Sequence, residues 1–464
     1  MSADLGVTGA LAEYVAGLTY EQVPAQVIHA AKRAILDSIG CSIGGGRTDP
    51  GRVILQFFEE MGGRPDTHVL ASGRRLPILN GVYVNAALAN LLDVDDSLGE
   101  GHLGATVVPP AVSACGLRPA TGRDLLTAVV GGYEVSARVG TAIRPSPRRF
   151  REVRGLGTFQ VFGAAAAVGR LLGLDASTLT SAFGIAGANA PVPSVYKEGI
   201  GERPVAWVKN NFGWAAEGGV LGVLLASRGF RGQRSFLDGE KGFWQMAGSD
   251  QCDFEEMISG LGREYRILSN SFKPYSCCRY HHTAIDAIRA LAQDPVVASD
   301  GIQSIHVRAI WRVSEHMNTA PADLIDAQYS LPYQLAAHLL GKADRFDWML
   351  TTSLSDPEIL SMGARVTYEF DEEHERRFLA ERTAGSTVVI SRSDASRTVT
   401  ATYAWGSPNL PISDGDLERK FLHLAGPTVG DRRARALADV VWNLESVRDV
   451  DGALRQLFDV PATA

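Results

Sequence analysis

This 464-residue sequence has few cysteines and no long apolar run, and each absence excludes a class of protein. Its five cysteines are odd in number and scattered, a pattern typical of reduced thiols and not of a disulfide framework. No apolar stretch reaches the ~20 residues that span a bilayer, and the N-terminus lacks the basic start and apolar core of a signal peptide. We therefore expect a cytoplasmic protein without a membrane partner.

Concentrated positive charge is also absent. The chain carries 45 lysines and arginines against 52 aspartates and glutamates, which gives a formal net charge of −7 without any basic stripe. A nucleic-acid backbone would be repelled by such a surface. The 45% content of hydrophobic residues is ample for a large core. We expect a globular, enzyme-sized protein that does not bind nucleic acid.

Apolar residues recur at helical spacing from Leu11 to about Ser269, where alanine and leucine dominate. This spacing predicts a mostly helical domain. Residues 26–39 are followed by Gly40 and residues 162–172 by Gly173, and glycine is the usual residue just after a helix end.

The composition changes between residues 269 and 400. Segments rich in β-branched residues appear there, with 393–396 as a hairpin turn; they are residues 302–313, 364–370, 386–390 and 397–403. Helical spacing returns from 416 to 423 and from 431 to 444, and so short a tail is expected to pack on the first domain. The predicted fold is mostly α: a large all-helical domain from 1–268 and 401–464, and a smaller α+β lid domain from 269–400.

The turn from Asp93 to His102 holds four carboxylates and an imidazole directly after an apolar run. Residues 82–92 are too apolar for a surface helix, so we expect Asp93 in the interior, where pKa values shift and proton transfer can be arranged. A calcium loop is excluded because its sixth and twelfth positions would be Leu98 and Gly104.

Three other segments match part of a known motif in residue type, but lack the context or the remaining residues that the motif needs. Residues 40–44 fit the G-x-S-x-G elbow, but a helical segment precedes them where a strand is needed. Residues 155–157 lack the third glycine of a dinucleotide loop, because Gln160 stands there. Residues 277–282, Cys-Cys-Arg-Tyr-His-His, lack a second Cys/His pair at zinc spacing. We expect neither a metal nor an organic cofactor.

Several segments together are similar to the MmgE/PrpD family of 2-methylcitrate dehydratases and cis-aconitate decarboxylases. They are residues 11–15, 31–40, 93–102, 132–135, 165–175 and 273–280, and the Asp93 turn and the Lys273 to Tyr280 run are the most specific. The resemblance runs nearly end to end. It implies a homodimer whose active site lies between a helical domain and a lid, and which works on small carboxylic acids without a cofactor.

The resemblance also implies site residues. The residues at matching positions are Asp93, Ser97 and His102 in the acidic turn, Lys209 in the run Val208 to Gly213, Lys273, and Tyr333 in Ser-Leu-Pro-Tyr. The acidic turn is one residue shorter before the histidine than the turn of the family. Cys278 is expected to face the substrate. On this basis His102, Asp93, Lys209 and Tyr333 are the candidate catalytic residues.

Two departures from the family pattern point to altered substrate recognition. Where relatives carry a second histidine in a Phe-His-Pro context, this chain has Val153-Arg154-Gly155. Where relatives carry Leu-His-Pro-Gly after the lysine, residues 210–213 of this chain are Asn-Asn-Phe-Gly. An arginine cannot shuttle protons at neutral pH, but it holds a carboxylate with two parallel hydrogen bonds. The candidate substrate-binding residues are therefore Ser97, Arg154, Lys273 and Cys278.

The favoured reaction is dehydration of a hydroxy acid through an enolate-like state. His102 is the expected acid/base residue, with Asp93 fixing its tautomer and Tyr333 as a second proton donor. Decarboxylation and epimerisation need nearly the same groups, and so both remain open. A hypothesis of another class is an inactive binding protein on the same fold, motivated by the missing histidine.

Overall fold

The computed structural model describes residues 6–99, 101–154, 157–195, 202–294, 297 and 301–458, except for the side chains of Arg154, Ser194 and Val195. The N-terminal part is helical. Its helices are α1 Gly6–Gly17, α2 Ala25–Gly45, α3 Asp49–Met61, α4 Ile78–Leu91, α5 Leu103–Ala114, α6 Gly122–Ala142, α7 Pro147–Glu152, α8 Val161–Leu171, α9 Ala176–Ala188, α10 Phe212–Ala226, α11 Phe243–Met246 and α12 Phe254–Ile258. Two short antiparallel ribbons accompany them: β1 Thr67–His68 with β2 Arg75–Leu76, and β3 Val153–Arg154 with β4 Ser194–Val195.

The second part of the chain forms a sheet flanked by helices. Its strands, β5 Ser304–Ala309, β6 Val366–Phe370, β7 Ser386–Ser391 and β8 Ser396–Ala401, lie in the order β6-β5-β7-β8. Strand β5 runs parallel to β6, with Val307 opposite Tyr368, and antiparallel to β7, with Val307 opposite Val388. The accompanying helices are α13 His282–Leu291, α14 Leu324–Gln328, α15 Leu331–Leu339, α16 Pro357–Gly363 and α17 Glu372–Glu381.

The last helices return to the N-terminal part. They are α18 Asp414–Val429, α19 Asp431–Trp442 and α20 Val450–Phe458. Leu417, Phe421 and Leu454 belong to the same apolar core as Ile35 and Tyr133. The sheet region has its own core. The molecule is therefore mostly α with a small α+β region, as the sequence predicts.

Two boundary predictions were wrong. Helix α2 does not end at Gly40 but continues to Gly45. Gly40 instead allows a close helix approach, because an added Cβ would lie 2.9 Å from a ring carbon of Phe421. The β segment expected to reach Val313 ends at Ala309 and continues as a 3-10 helix over Trp311–His316. By contrast, α8 is followed by Gly173 with a φ of +71°, as a helix-ending glycine requires.

Among the described residues, no helix combines the length and the apolar character needed to cross a membrane.

Candidate active site

The acidic turn after α4 is buried in the protein. Helix α4 ends at Leu91, and Asp93 follows in the left-handed region with a φ of +50°. Asp93, Asp95 and Asp96 are each at most 2% exposed. A non-glycine residue with positive φ is strained, and such strain is kept where the surrounding structure fixes it, often at functional sites. The apolar helix thus brings three carboxyl groups into the interior, as the sequence predicts for Asp93.

Asp93 lies between two buried lysines. Its Oδ1 is 3.2 Å from Lys209 Nζ and 3.1 Å from Lys273 Nζ. Lys273 also donates to the Asp93 carbonyl at 3.0 Å, and Lys209 donates to Gln328 Oε1 at 2.9 Å and to the Asn90 carbonyl at 3.1 Å. The second carboxylate oxygen, Oδ2, has no hydrogen-bond partner within the described part of the chain.

Burial and the neighbouring charges together shift the pKa values of Asp93, Lys273 and Lys209 in different directions. Burial alone would raise the pKa of Asp93, but the two ammonium groups outweigh it and hold the pKa well below its usual range. Burial would likewise lower the pKa of Lys273, but Asp93 and Asp95 raise it above its ordinary value. For Lys209 burial prevails over Asp93 and the pKa is lowered. Lys273 is therefore the firmly charged cation of the pair.

His102 is held by Asp95, not by Asp93. Its Nδ1 lies 3.1 Å from Asp95 Oδ2, and the amide of Asn90 donates to both oxygens of that carboxylate at 2.9 and 3.1 Å. Burial would raise the pKa of Asp95, but the adjacent imidazole and Lys273 lower it. Asp95 therefore keeps its negative charge and orients the ring, which leaves Nε2 as the nitrogen able to exchange a proton with a bound molecule. The prediction that Asp93 fixes the tautomer of His102 was wrong, because the carboxylate hydrogen-bonded to the ring is that of Asp95.

The third carboxylate secures the turn from behind. Asp96 Oδ1 accepts from the backbone of Gly104 at 2.8 Å, and Oδ2 accepts from the Tyr133 hydroxyl and the Asn270 amide, both at 2.5 Å. Burial raises the pKa of Asp96. Lys420 of α18 reaches the same turn, where it contacts Asp37 and the Val94 carbonyl. These bonds fix the backbone that carries Asp93 and Asp95.

A cavity of about 380 Å³ opens beside these groups, between the helical part and the sheet region. Predicted site residues that line it are Asp93, Ser97, His102, Lys273 and Cys278. Ser97 is fixed by reciprocal backbone hydrogen bonds with Ser271 of 2.8 and 2.9 Å, which join the turn to the segment before Lys273. The volume lies in the range of ~300–1,000 Å³ that ligand pockets have.

The structure does not bring Tyr333 to this cavity. Its ring stacks on Trp348 with 6.0 Å between centroids, and its hydroxyl donates to the Ser353 carbonyl at 3.4 Å. The Ser-Leu-Pro-Tyr motif is the start of α15, with Ser330 as N-cap accepting from the Tyr333 amide. Tyr329 lines the cavity instead, and its ring centroid lies 5.6 Å from Lys209 Nζ.

Arg154 lies in β3, but its side chain is outside the described part of the chain. Sequence reasoning also missed three residues that hold the cluster, namely Asp95, Asn90 and Gln328. Asp95 belongs to the acidic turn, so its residue type was a usable signal, whereas an amide such as Gln328 carries none in the sequence alone. Lys209 and Asn211 have positive φ values of 46° and 59°, which mark their loop as strained.

Metal binding is poorly supported by the donor set. Asp93, Asp95 and His102 offer atoms within 4.8 Å of one another. A cation placed there would face the ammonium groups of Lys209 and Lys273, which already neutralise Asp93.

The Cys277 to His282 run forms no zinc site among the described residues. His281 Nε2 pairs with His316 Nδ1 at 2.7 Å, and His282 Nε2 lies 3.3 Å from the Cys277 carbonyl. Burial lowers the pKa of His281 to about 3 and raises the pKa of the Cys277 thiol, so the first stays neutral and the second protonated. A protonated thiol is a poor metal ligand.

Comparison with known proteins shows the family of this chain. Residues 9–255 match the MmgE/PrpD N-terminal domain and residues 275–446 match the MmgE/PrpD C-terminal domain. A cis-aconitate decarboxylase of Aspergillus terreus is 26% identical over 98% of this chain and 96% of its own. The cis-aconitate decarboxylase of Homo sapiens is 25% identical over 96% of this chain and 92% of its own, and a cis-aconitate decarboxylase-like protein of Aspergillus oryzae is 25% identical over 97% and 96%. The chain belongs to the MmgE/PrpD family.

Proposed function

We propose that this protein is a cofactor-independent lyase that decarboxylates a small unsaturated carboxylic acid. The observation that carries the proposal is the imidazole of His102, held by a buried carboxylate, on the same cavity as the buried ammonium group of Lys273. Decarboxylation needs a positive environment for the developing carbanion and one proton donor for carbon. The relatives named as cis-aconitate decarboxylases support this reaction over the dehydration that the sequence favours.

The chemistry balances with the residues present. The carbon–carbon bond to a carboxylate breaks, CO2 leaves, and the bonding electron pair passes into an enolate-like system that Lys273 stabilises. The proton on His102 Nε2 then forms the new carbon–hydrogen bond, and the imidazole recovers a proton from solvent. Asp95 stabilises the imidazolium throughout because its own pKa is lowered.

Dehydration is the second candidate. This reaction requires both a base and an acid, and therefore a second proton-transfer group beside His102. Lys209 is such a group, because its pKa is lowered and it gives up a proton more readily than an ordinary lysine. We also propose that the protein is a cytoplasmic homodimer that needs no metal, as the family resemblance implies. Light scattering at micromolar concentration tests the dimer, since a monomer would contradict it, and activity retained in a chelator tests the independence from metal.

The reaction is tested by incubating the protein in deuterated water with cis-aconitate and with 2-methylcitrate, followed by NMR. Loss of CO2 with one deuterium on carbon is the expected result for the unsaturated acid. New vinyl signals from the hydroxy acid would instead establish dehydration, and deuterium uptake with unchanged substrate would establish epimerisation. Silence across a panel of unsaturated and β-hydroxy acids would favour an inactive binding protein.

A further inference from the structure

The cavity has a second wall that the proposed chemistry does not use. Phe150 of α7, Phe378 of α17 and Tyr280 line it together. Tyr280 and Phe378 pack edge to face with 5.6 Å between ring centroids. Phe150 and Phe378 also border a neighbouring cavity of about 30 Å³, so they lie close to each other. The rings come from both parts of the fold and form one aromatic surface, which we call the aromatic wall (Phe150, Tyr280 and Phe378).

Two arginines at the aromatic wall are already engaged. Arg312 stacks on Phe150 at 4.7 Å, donates to Glu315 Oε2 at 2.8 Å and donates to the Phe150 carbonyl at 3.1 Å. Arg382 stacks on Phe378 at 5.5 Å, next to Glu381 on the same cavity. The charge of Arg312 is matched by Glu315, so this guanidinium adds no surplus charge for a substrate carboxylate.

The spare positive charge lies elsewhere. Lys273 is firmly charged. Arg279 also lines the cavity, where it contacts His282 Nδ1 at 3.0 Å and donates to the Trp405 carbonyl at 3.2 Å. Burial lowers the pKa of Arg279 to about 10, which still leaves it charged at neutral pH. The cavity thus combines a cationic end with an aromatic wall.

We infer that the aromatic wall is a binding subsite for an apolar, preferably planar, substituent on the acid substrate. This inference rests on the proposed function for the acid end and adds a substrate class to it: a carboxylic acid with an aryl or alkenyl side group, which the site should bind more tightly than a compact tricarboxylate. Rings recognise such groups by offset or edge-to-face contact as well as by burial. A volume of about 380 Å³ also exceeds what a compact six-carbon acid requires.

Binding of unreactive saturated acids tests the inference by titration calorimetry. The matched probes are 2-benzylsuccinate and 2-methylsuccinate, which share the acid groups and differ by one phenyl ring, with tricarballylate as the polyanionic comparison. Burial of the ring predicts binding of the benzyl compound at least about tenfold tighter than the methyl compound. Phe378→Leu keeps the site apolar without the ring, and should reduce that preference to about threefold or less.

Phe57→Leu is the control variant, because Phe57 is 58% exposed on α3 and does not line the cavity. It should keep the full preference. If Phe378→Leu does not fold, Tyr280→Leu replaces it, and the two wild-type affinities already decide the main point. Equal affinity for the two succinates, or tricarballylate bound more tightly than both, would overturn the aromatic subsite and leave the acid site standing. No binding of any of the three acids would overturn the acid site as well.

Discussion

Replacing Asp95 by asparagine is the most direct test of the site. The carboxylate accepts two hydrogen bonds from the Asn90 amide and one from His102 Nδ1. An amide at position 95 replaces one carboxylate oxygen by an NH2 group, so one of the neighbouring donors then faces a donor instead of an acceptor. If its oxygen serves Asn90, its NH2 group faces Nδ1 and forces the proton of His102 onto Nε2. If its oxygen serves His102, two NH2 groups meet in the interior.

The expected loss follows from these contacts. A buried polar group left without its partner costs about 1–3 kcal/mol. The charge that stabilises the imidazolium is lost as well, and removal of a general acid/base function lowers kcat by roughly 10²- to 10⁴-fold. KM should change little, because Lys273 and Arg279 are untouched. The tautomer change can be read without a substrate from the ¹⁵N shifts of the His102 ring.

A double-mutant cycle with His102→Ala is the control, since Asp95 acts through that ring. The double variant should be no slower than His102→Ala alone. Multiplicative losses, or Asp95→Asn with kcat within about threefold of wild type and an unchanged tautomer, would refute the assignment of Asp95 as the positioning residue.

The same variant has a signature in stability against pH. The pKa of Asp95 is lowered in the folded protein, so its contribution is present above the unfolded value of about 3.9 and is lost as the pH falls below it. In urea titrations, the free energy of unfolding of Asp95→Asn should therefore fall less than that of wild type between pH 5 and pH 3. A steeper loss in the variant would reverse the sign and contradict the lowered pKa.

Three further outcomes are expected. Tyr333→Phe should leave kcat within about twofold while Tyr329→Phe changes kcat or KM, and the opposite pattern in steady-state kinetics would restore Tyr333 to the site. Lys420→Met leaves Asp37 as an unpaired buried charge and should cost about 3–5 kcal/mol in urea unfolding, whereas a cost below about 1 kcal/mol would mean that the pair is not formed. Arg154→Lys should raise KM more than it lowers kcat if the guanidinium clamps a carboxylate, and unchanged constants would exclude that role.

The sequence by itself determined the kinds of element and the location of the acidic turn. Helical spacing and alternating β-branched residues are local properties, so α8 and the strands near residues 366, 386 and 396 could be predicted from neighbouring residues alone. The apolar run before Asp93 was enough to predict its burial, because an all-apolar helix must end inside a core. Helix boundaries were less certain, since Gly40 served contact with Phe421 and not a helix end.

Only the tertiary structure decided which charges meet. Asp93 pairs with lysines 116 and 180 residues away, and Asp95, two positions further on, pairs with the histidine. An irregular turn with Asp93 and Gly99 at positive φ has no period from which side-chain directions could be derived. The start of α15 likewise directs Tyr333 into the core of the sheet region and leaves Tyr329 at the cavity. The acidic turn in the sequence indicates where a site is expected, whereas backbone direction and packing decide which atoms meet there.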